Sequence, residues 1–381
     1  MASVILRNIS KQFNGNTALH QVSLEIADRE FFVLFGPSGA GKTTVLNTVC
    51  GIYLPDQGDV FLGKTNVTSQ EIRDRNVSMV FESYALYPHL TVYENMAFPL
   101  KSPKIKWPKE KIEKTVKSVA AILQIDGLLE RKPSQLSNGQ RQRVAIGRSL
   151  VRSPAVSLMD EPLAHLDAKL RNEMRIEFKE MQGTLTSTII YATPDYREAL
   201  SLGNRVAVLN KGRIIQVDTP QTLYHRPADI FVASLLSDPQ INLLPVTYLE
   251  KSGHGHFYIK DLKNPGLKVN ENLTRFLSNY PGREFLLGIR PHNITVTDTM
   301  RGEGTVGGLV YGFERRGINN IMTLKNRNLF MEVVLPASIV RKINDTVTCN
   351  VSTEECLLFD PDTKKLVYSA SDRLEGLNCQ S

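Results

Sequence analysis

The chain has 381 residues, of which 41% are hydrophobic and 22% are charged, so it is long enough for roughly two or three domains and unlike a disordered or fibrous protein. Lysine and arginine number 46 against 39 aspartate and glutamate, a net charge of +7, and no run of consecutive basic residues predicts an arm that binds nucleic acid. Neither the N-terminus nor the four cysteines resemble those of a secreted protein, and no apolar run reaches the ~18 residues of a membrane span, so we expect a soluble cytoplasmic protein with reduced thiols.

Strand-like and helix-like segments alternate up to about residue 235, which is typical of an α/β domain. Three continuous apolar runs, residues 31–35, 155–159 and 188–191, predict buried parallel strands. Residues 206–215 hold Asn210-Lys211-Gly212 between two apolar runs, which predicts a hairpin.

The region between the first two of these strands contains an insert, from about residue 87 to residue 150. Within it, residues 108–129 are apolar at helical spacing on one face and carry lysines on the other, which predicts a helical subdomain. After residue 235, short segments rich in β-branched and aromatic residues alternate with glycine, proline, asparagine and aspartate. We therefore predict an α/β domain at residues 1–235 and a small all-β barrel at residues 236–381.

A glycine-rich segment follows the first apolar run directly and fits the pattern GxxxxGK[ST]. It reads Gly36-Pro37-Ser38-Gly39-Ala40-Gly41-Lys42-Thr43. In such a loop the backbone N–H groups turn inward around phosphates, the lysine bridges the β- and γ-phosphates, and the hydroxyl ligates Mg²⁺. Because the full pattern and the strand context occur together, we predict a phosphate-binding P-loop rather than a glycine turn that binds nothing.

Two carboxylates close the second apolar run. Asp160 is placed to hold Mg²⁺, and Glu161 to polarise an attacking water as general base. Without the P-loop, such a pair would be interpreted as a solvated strand end. Ser137 and Gln140 have the spacing of a capping box. This predicts either an ordinary helix cap or a helix N-terminus that attracts an anion.

Taken in chain order, these motifs resemble the ATP-binding-cassette family of transporters. The resemblance is carried by the P-loop, residues 82–88, the signature Leu136-Ser137-Asn138-Gly139-Gln140, Asp160-Glu161, and residues 164–167 and 191–195. Farther on, residues 231–233, 241–245 and 287–291 look like the linker and appended barrel of maltose and glycerol-3-phosphate importer ATPase subunits. The resemblance implies an α/β P-loop NTPase cassette with a helical subdomain, followed by an OB-like (TOBE-type) barrel concerned with regulation and dimerisation.

The resemblance also implies roles for single residues in binding ATP and Mg²⁺. Phe13 occupies the position whose aromatic ring stacks on adenine, and Thr44 belongs to the P-loop contacts. Glu82 stands at the Mg²⁺-sensing position, as a ligand beside Thr43 and Asp160. Asp167 matches the loop that contacts an opposing cassette.

Family members work as a head-to-tail pair of cassettes. Each ATP lies between the P-loop of one cassette and, in the other, residues that match Ser137, Gly139 and Gln140. The resemblance further implies that residues 84–88 and the helical insert receive a cytoplasmic helix of transmembrane permease subunits, and that a solute-binding protein is an indirect partner. We therefore expect a peripheral protein at the cytoplasmic face of the cell membrane, with no nucleic-acid partner.

Three residues depart from the family pattern: Pro194 stands where histidine is usual, Glu82 where glutamine is usual, and Asn138 where glycine is usual. Proline has no side-chain donor and no N–H for the γ-phosphate or the attacking water. Losing one such donor lowers rates about 10²–10³-fold, so we expect slow hydrolysis at this chain's own P-loop. This favours a pair with an intact second cassette, and a homodimer is the alternative.

The resulting hypothesis is an ATPase subunit that energises an importer of carbohydrate or a related polar solute. Two alternatives stay open: an importer of another solute such as polyamine or iron, and a regulatory cassette that binds ATP without useful hydrolysis. A soluble cassette protein of translation or DNA repair is disfavoured, because two fused cassettes or a long coiled-coil insert would be expected. The transported solute, the pairing and the regulator of the barrel do not follow from the sequence.

Overall fold

The computed structural model describes residues 2–81, 84–102, 107–164, 166–182, 187–251, 253–260, 262, 266–297 and 304–371. The described residues form two compact units, which divide after Pro220. None of the helices in those ranges combines the length and the hydropathy of a membrane-spanning segment.

The first unit contains two sheets with helices packed around them. Its strands are β1 (Val4–Phe13), β2 (Asn16–Ile26), β3 (Phe31–Phe35), β4 (Gln57–Leu62), β5 (Thr65–Asn66), β6 (Val77–Val80), β7 (Val156–Asp160), β8 (Thr188–Thr193), β9 (Arg205–Asn210) and β10 (Arg213–Asp218). Its helices are α1 (Lys42–Cys50), α2 (Val92–Ala97), α3 (Lys109–Ile122), α4 (Asn138–Leu150), α5 (Ala168–Met181) and α6 (Tyr196–Leu202).

The central sheet has the order β10-β9-β3-β8-β7-β6. Neighbours from β9 to β6 are parallel, and β9 and β10 form the predicted hairpin. Every residue of β3 is buried, as a strand covered on both faces requires. The three predicted parallel strands are confirmed as β3, β7 and β8. Because parallel strands end at one edge, the segments after β9, β3, β8 and β7 lie next to one another.

An antiparallel sheet of order β2-β1-β4-β5 packs with α1 against the central sheet. Sequence patterning does not single out this sheet, nor β6 of the central sheet. The buried residues are only Val4, Leu6 and Ile9 in β1 and only Val60 and Leu62 in β4. A sheet with one covered face needs only half of its side chains to be apolar, so its strands carry a weaker signal than β3.

The helical insert between β6 and β7 contains α2, α3 and α4, and α3 buries Ile112, Val116 and Ala120 as predicted. Within residues 108–129, the stretch with helical spacing, α3 itself ends at Ile122. Gln124 takes a left-handed conformation with φ of 54°, which ends the helix. The chain then turns so that Ile125 is buried.

The second unit consists mainly of β-strands. The part of it that the structure describes also contains three α-helices. The helices are α7 (Pro220–His225), α8 (Ile230–Leu235) and α9 (Glu271–Ser278). The strands are β11 (Asn242–Lys251), β12 (His254–Ile259), β13 (Leu267–Lys268), β14 (Glu284–Ile289), β15 (Ile294–Thr297), β16 (Thr305–Arg315), β17 (Asn319–Asn326), β18 (Leu329–Pro336), β19 (Thr346–Val351), β20 (Leu357–Phe359) and β21 (Leu366–Ser369).

Two antiparallel sheets, β13-β12-β11-β14-β20-β21 and β15-β19-β16-β17-β18, enclose one hydrophobic core in this unit. The predicted fold class, an α/β unit followed by an OB-like β unit, is therefore confirmed. Ala233 of α8 packs against Leu357 and Phe359 within the second unit, and the domain boundary expected after residue 235 stays a prediction.

Candidate active site

The loop between β3 and α1 has the geometry of an anion cradle. Gly39 and Gly41 have φ of +77° and +107°, a region that favours glycine. A Cβ on Gly41 would also lie 2.9 Å from the carbonyl oxygen of Ala18. Since Gly41 is the N-cap of α1 and has no side chain to cap it, the N–H groups of the first helical turn remain free to bind an anion.

Lys42, the first residue of α1, is buried at 4% exposure. Its Nζ donates to the carbonyl oxygens of Gly36 and Pro37, at 3.0 and 3.2 Å. The same Nζ lies 3.3 Å from Oε1 of Glu161. One ammonium therefore joins the P-loop to the acidic end of β7.

Glu161 follows β7 directly and adopts a left-handed conformation, with φ of 45°. Such a conformation costs a non-glycine residue about 1–2 kcal/mol. Its N–H donates to the carbonyl oxygen of Ala192 on β8, at 2.9 Å, which fixes the turn. The backbone strain is thus located at the residue for which the sequence predicts a catalytic role.

Thr43 and Asp160 form a second link between the same elements. The Thr43 hydroxyl donates to Oδ1 of Asp160 at 3.2 Å, and Asp160 is buried at 6% exposure. Hydroxyl and carboxylate oxygens are the hard ligands that Mg²⁺ prefers. This pair of oxygens therefore fits a magnesium ion beside the P-loop.

A cleft of about 570 Å³ opens above these contacts, a size that suits a small-molecule ligand. Its lining residues are Thr17, Ala18, Ser38, Gly39, Gly41, Lys42, Thr43, Thr44, Glu161, Lys211 and Gly212. The structure thus brings together Thr44, Glu161 and five P-loop residues, Ser38, Gly39, Gly41, Lys42 and Thr43. Other predicted residues of the described chain do not line this cleft: Phe13, Gly36, Pro37, Ala40, Ser137, Gly139, Gln140, Asp160, Asp167 and Pro194.

The residues that sequence reasoning missed are Thr17, Ala18, Lys211 and Gly212. The sequence does indicate the turn that contains Lys211 and Gly212, because the β9–β10 hairpin is predicted with glycine in its turn. What the sequence does not show is that β9 pairs with β3, which places this turn beside the P-loop.

Pro194 lies at the same edge of the sheet, since Thr193 at the end of β8 pairs with Phe35 at the end of β3. Pro194 itself is exposed. The loop around it is held by Thr193, whose Oγ1 accepts the N–H of Asp195 at 3.0 Å and donates to Oε2 of Glu198 at 2.7 Å. The backbone around Pro194 is therefore well anchored, although the proline side chain carries no polar group.

Glu198 anchors this loop from within the protein. Its Oε2 also accepts the hydroxyl of Tyr191, at 2.8 Å. Burial raises the pKa of the Glu198 carboxyl, and the hydrogen bonds from Thr193 and Tyr191 lower it in part. Burial and the neighbouring Glu198 carboxylate together raise the pKa of Tyr191 well above its ordinary value.

The signature residues form the predicted capping box at the N-terminus of α4. Gln140 N–H donates to Oγ of Ser137 at 3.3 Å, and Ser137 N–H donates to Oε1 of Gln140 at 3.0 Å. Gly139 lies against α5, where a Cβ would meet Cδ2 of Leu170 at 2.3 Å. Asp167 caps α5 by accepting the N–H of Leu170 at 2.9 Å. These residues lie at two helix N-termini, and none of them lines the cleft.

Phe13 ends β1 and is 37% exposed. Its ring packs edge-on against Tyr53, with centroids 5.0 Å apart, and Nζ of Lys11 lies 5.5 Å from its centroid. An exposed aromatic face suits stacking on a base. Glu82, the predicted Mg²⁺-sensing residue, lies outside the described residues.

Comparison with known proteins places this geometry in a family context. Residues 19–164 match the family model described as ABC transporter. The chain is 43% identical over 339 residues to the trehalose/maltose import ATP-binding protein MalK of Thermococcus litoralis, covering 85% of this chain and 88% of that protein. It is 39% identical over 370 residues to the osmoprotective compounds uptake ATP-binding protein GgtA of Synechocystis sp., covering 97% of each.

A solved structure gives the same result for the fold. The dimeric ATP-binding cassette MJ0796, in a post-hydrolysis state bound to ADP and Pi, matches with a TM-score of 0.52 and 29% identity. The match covers 57% of this chain and 98% of that one.

Proposed function

The chain belongs to the ABC transporter family, and we propose that it binds and hydrolyses ATP to energise an importer of carbohydrate or a related polar solute. The observation that carries the proposal is the cleft in which Lys42, Thr43 and Glu161 meet. The names of two similar proteins, one for trehalose/maltose import and one for uptake of osmoprotective compounds, support the solute class.

ATP binding is proposed to use the P-loop and the first turn of α1. The N–H groups of that turn and Lys42 hold the phosphates, while Phe13 stacks on the adenine. Thr43 and Asp160 would hold Mg²⁺, with Glu82 as a further proposed ligand; the ion would neutralise phosphate charge. The cradle and the ammonium fit a polyphosphate anion, and the paired oxygens fit the magnesium ion that would accompany it.

Hydrolysis is proposed to depend on Glu161 as the general base for water. Its carboxylate lies 3.3 Å from Nζ of Lys42, so a phosphate that draws the ammonium away leaves the carboxylate free to accept a proton. Pro194 supplies no donor to orient that water. We therefore propose slow turnover at this chain's own P-loop.

A second cassette is the proposed partner that completes the site. Ser137, Gly139 and Gln140 lie at the N-terminus of α4 rather than in the chain's own cleft, and Ser137 is exposed there. A helix N-terminus attracts anions, so this segment is proposed to contact the ATP held by a partner, beside Asp167. We propose a mixed pair with an intact cassette, attached to permease subunits at the cytoplasmic face of the membrane.

We also propose that the two domains have different functions. Residues 1–235 form the cassette, with its helical subdomain at about 87–150 facing the permease, and residues 236–381 serve regulation and dimerisation. A solute-binding protein would act only through the permease.

The test of nucleotide function compares the full chain with two lysine variants. Mg-ATP should raise the melting temperature of the wild type, and Lys42→Ala should lose that shift. Lys64→Ala is the matched control, because Lys64 is an exposed turn lysine between β4 and β5 and should keep the shift. If saturating Mg-ATP left the melting temperature of the wild type unchanged, the proposal would be overturned.

A second candidate function, a regulatory cassette without useful hydrolysis, is favoured by Pro194. Phosphate release by the purified wild type at saturating Mg-ATP separates the two. If the wild type releases phosphate and Glu161→Gln does not, the chain is an ATPase. If the wild type binds ATP but releases phosphate no faster than Glu161→Gln, the regulatory cassette is supported.

A further inference from the structure

Lys211 lies at the rim of the nucleotide cleft, in the turn between β9 and β10. Because β9 runs parallel to β3 and pairs with it directly, this turn emerges at the same edge of the sheet as the P-loop. Ligands of open α/β sheets bind at that edge. Lys211 is therefore placed beside the phosphate cradle by the sheet order itself.

The backbone of this turn is fixed to the P-loop on one side and to β2 on the other. Gly212 N–H donates to the carbonyl oxygen of Ala40 at 2.9 Å, and His20 N–H donates to the carbonyl oxygen of Gly212 at 2.8 Å. A Cβ on Gly212 would lie 2.4 Å from the carbonyl oxygen of Ala18. The backbone of the turn that carries Lys211 is thus held in place, and the four-carbon side chain lets the ammonium extend toward the cleft.

The charged side chains that line the cleft are Lys42, Glu161 and Lys211. Lys42 is already paired with Glu161, with Nζ 3.3 Å from Oε1. Without Lys211, the lining would therefore carry no net positive charge toward an anion. Lys211 is exposed, and within the described ranges its ammonium has no carboxylate at ion-pair distance.

We infer that the Lys211 ammonium binds a phosphate oxygen of the bound nucleoside triphosphate, as a second cation beside Lys42. The inference rests on the proposed function and adds to it a contact that the P-loop motif does not contain. Its ligand is the phosphate chain rather than the base, because an ammonium gains most from the group with the highest negative charge.

The test measures dissociation constants of ATP, ADP and adenosine for the full chain by calorimetry with Mg²⁺ present. Lys211→Gln should weaken ATP binding about fivefold at low salt, the size of one partly exposed ion pair. ADP should be affected less and adenosine not at all. Lys211→Arg should restore ATP binding, Lys64→Ala should bind ATP as the wild type does, and the effect of Lys211→Gln should shrink at high salt.

Equal ATP affinity of Lys211→Gln and wild type at low salt would overturn the inference and leave the proposed function intact. An equal loss for adenosine and ATP would also overturn it, since the stem would then pack on the nucleoside. A wild type that binds no ATP would overturn both proposals.

Discussion

Replacing Pro194 with histidine should raise the rate of ATP hydrolysis by the chain. The imidazole would add one polar group at the end of β8, beside the P-loop that follows β3. One donor to a developing oxyanion contributes about 10²–10³ in rate, so turnover should rise by about two orders of magnitude.

The structure indicates that the protein accepts this change. Pro194 is exposed and precedes Asp195, the N-cap of α6, so no helical hydrogen bond involves it. The loop is held by Thr193 and Glu198, neither of which the substitution alters. We expect a change in unfolding free energy within about 0.5 kcal/mol, as for ordinary surface substitutions.

The assay is steady-state phosphate release at saturating Mg-ATP by the purified chain. Pro194→Ala is the matched control, because it removes the ring without adding an imidazole, and it should stay near the wild-type rate. The double variant Pro194→His with Glu161→Gln should lose the gain. A Pro194→His protein no faster than Pro194→Ala would refute the reasoning, because residue 194 would then not reach the reacting phosphate.

Three further predictions test other contacts of the site. Glu161→Gln should lower turnover about 10²-fold or more, measured by phosphate release, and unchanged turnover would exclude Glu161 as the base. The same variant should bind ATP more tightly in calorimetry, because Lys42 loses its ion pair. Asp167→Ala should reduce the free energy of urea unfolding by about 1 kcal/mol through loss of the α5 cap, whereas Asp167→Asn should retain most of it. The raised pKa of Glu198 means that the folded protein binds this proton more tightly than the unfolded chain, so stability falls as pH rises above the ordinary value of 4.5. Glu198→Gln should remove that part of the fall in unfolding free energy between pH 5 and pH 7, measured by urea unfolding. A fall as large as that of the wild type would contradict the prediction.

Sequence reasoning succeeds where a local pattern determines structure. The P-loop, the strands at residues 31–35, 155–159 and 188–191, and the Ser137–Gln140 capping box depend on a few neighbouring residues, and the structure contains all of them. The signature also gives the right helix N-terminus, although its role toward a partner stays a prediction.

The features that sequence reasoning misses depend on pairing between distant strands. Lys211 reaches the cleft only because β9 adds to β3, and no local pattern encodes that neighbour. The end of α3 is missed for a different reason. Residues after Ile122 keep an apolar pattern, yet Gln124 turns the backbone, and glutamine carries no turn signal.

The ion pair between Lys42 and Glu161 has a consequence for the order of events in a catalytic cycle. While the ammonium is paired with the carboxylate, the proposed general base is not available to take a proton from water. On the proposed mechanism, a polyphosphate that attracts the ammonium would release the carboxylate by competition for one cation. Nucleotide binding would then have to come before water activation in every turnover.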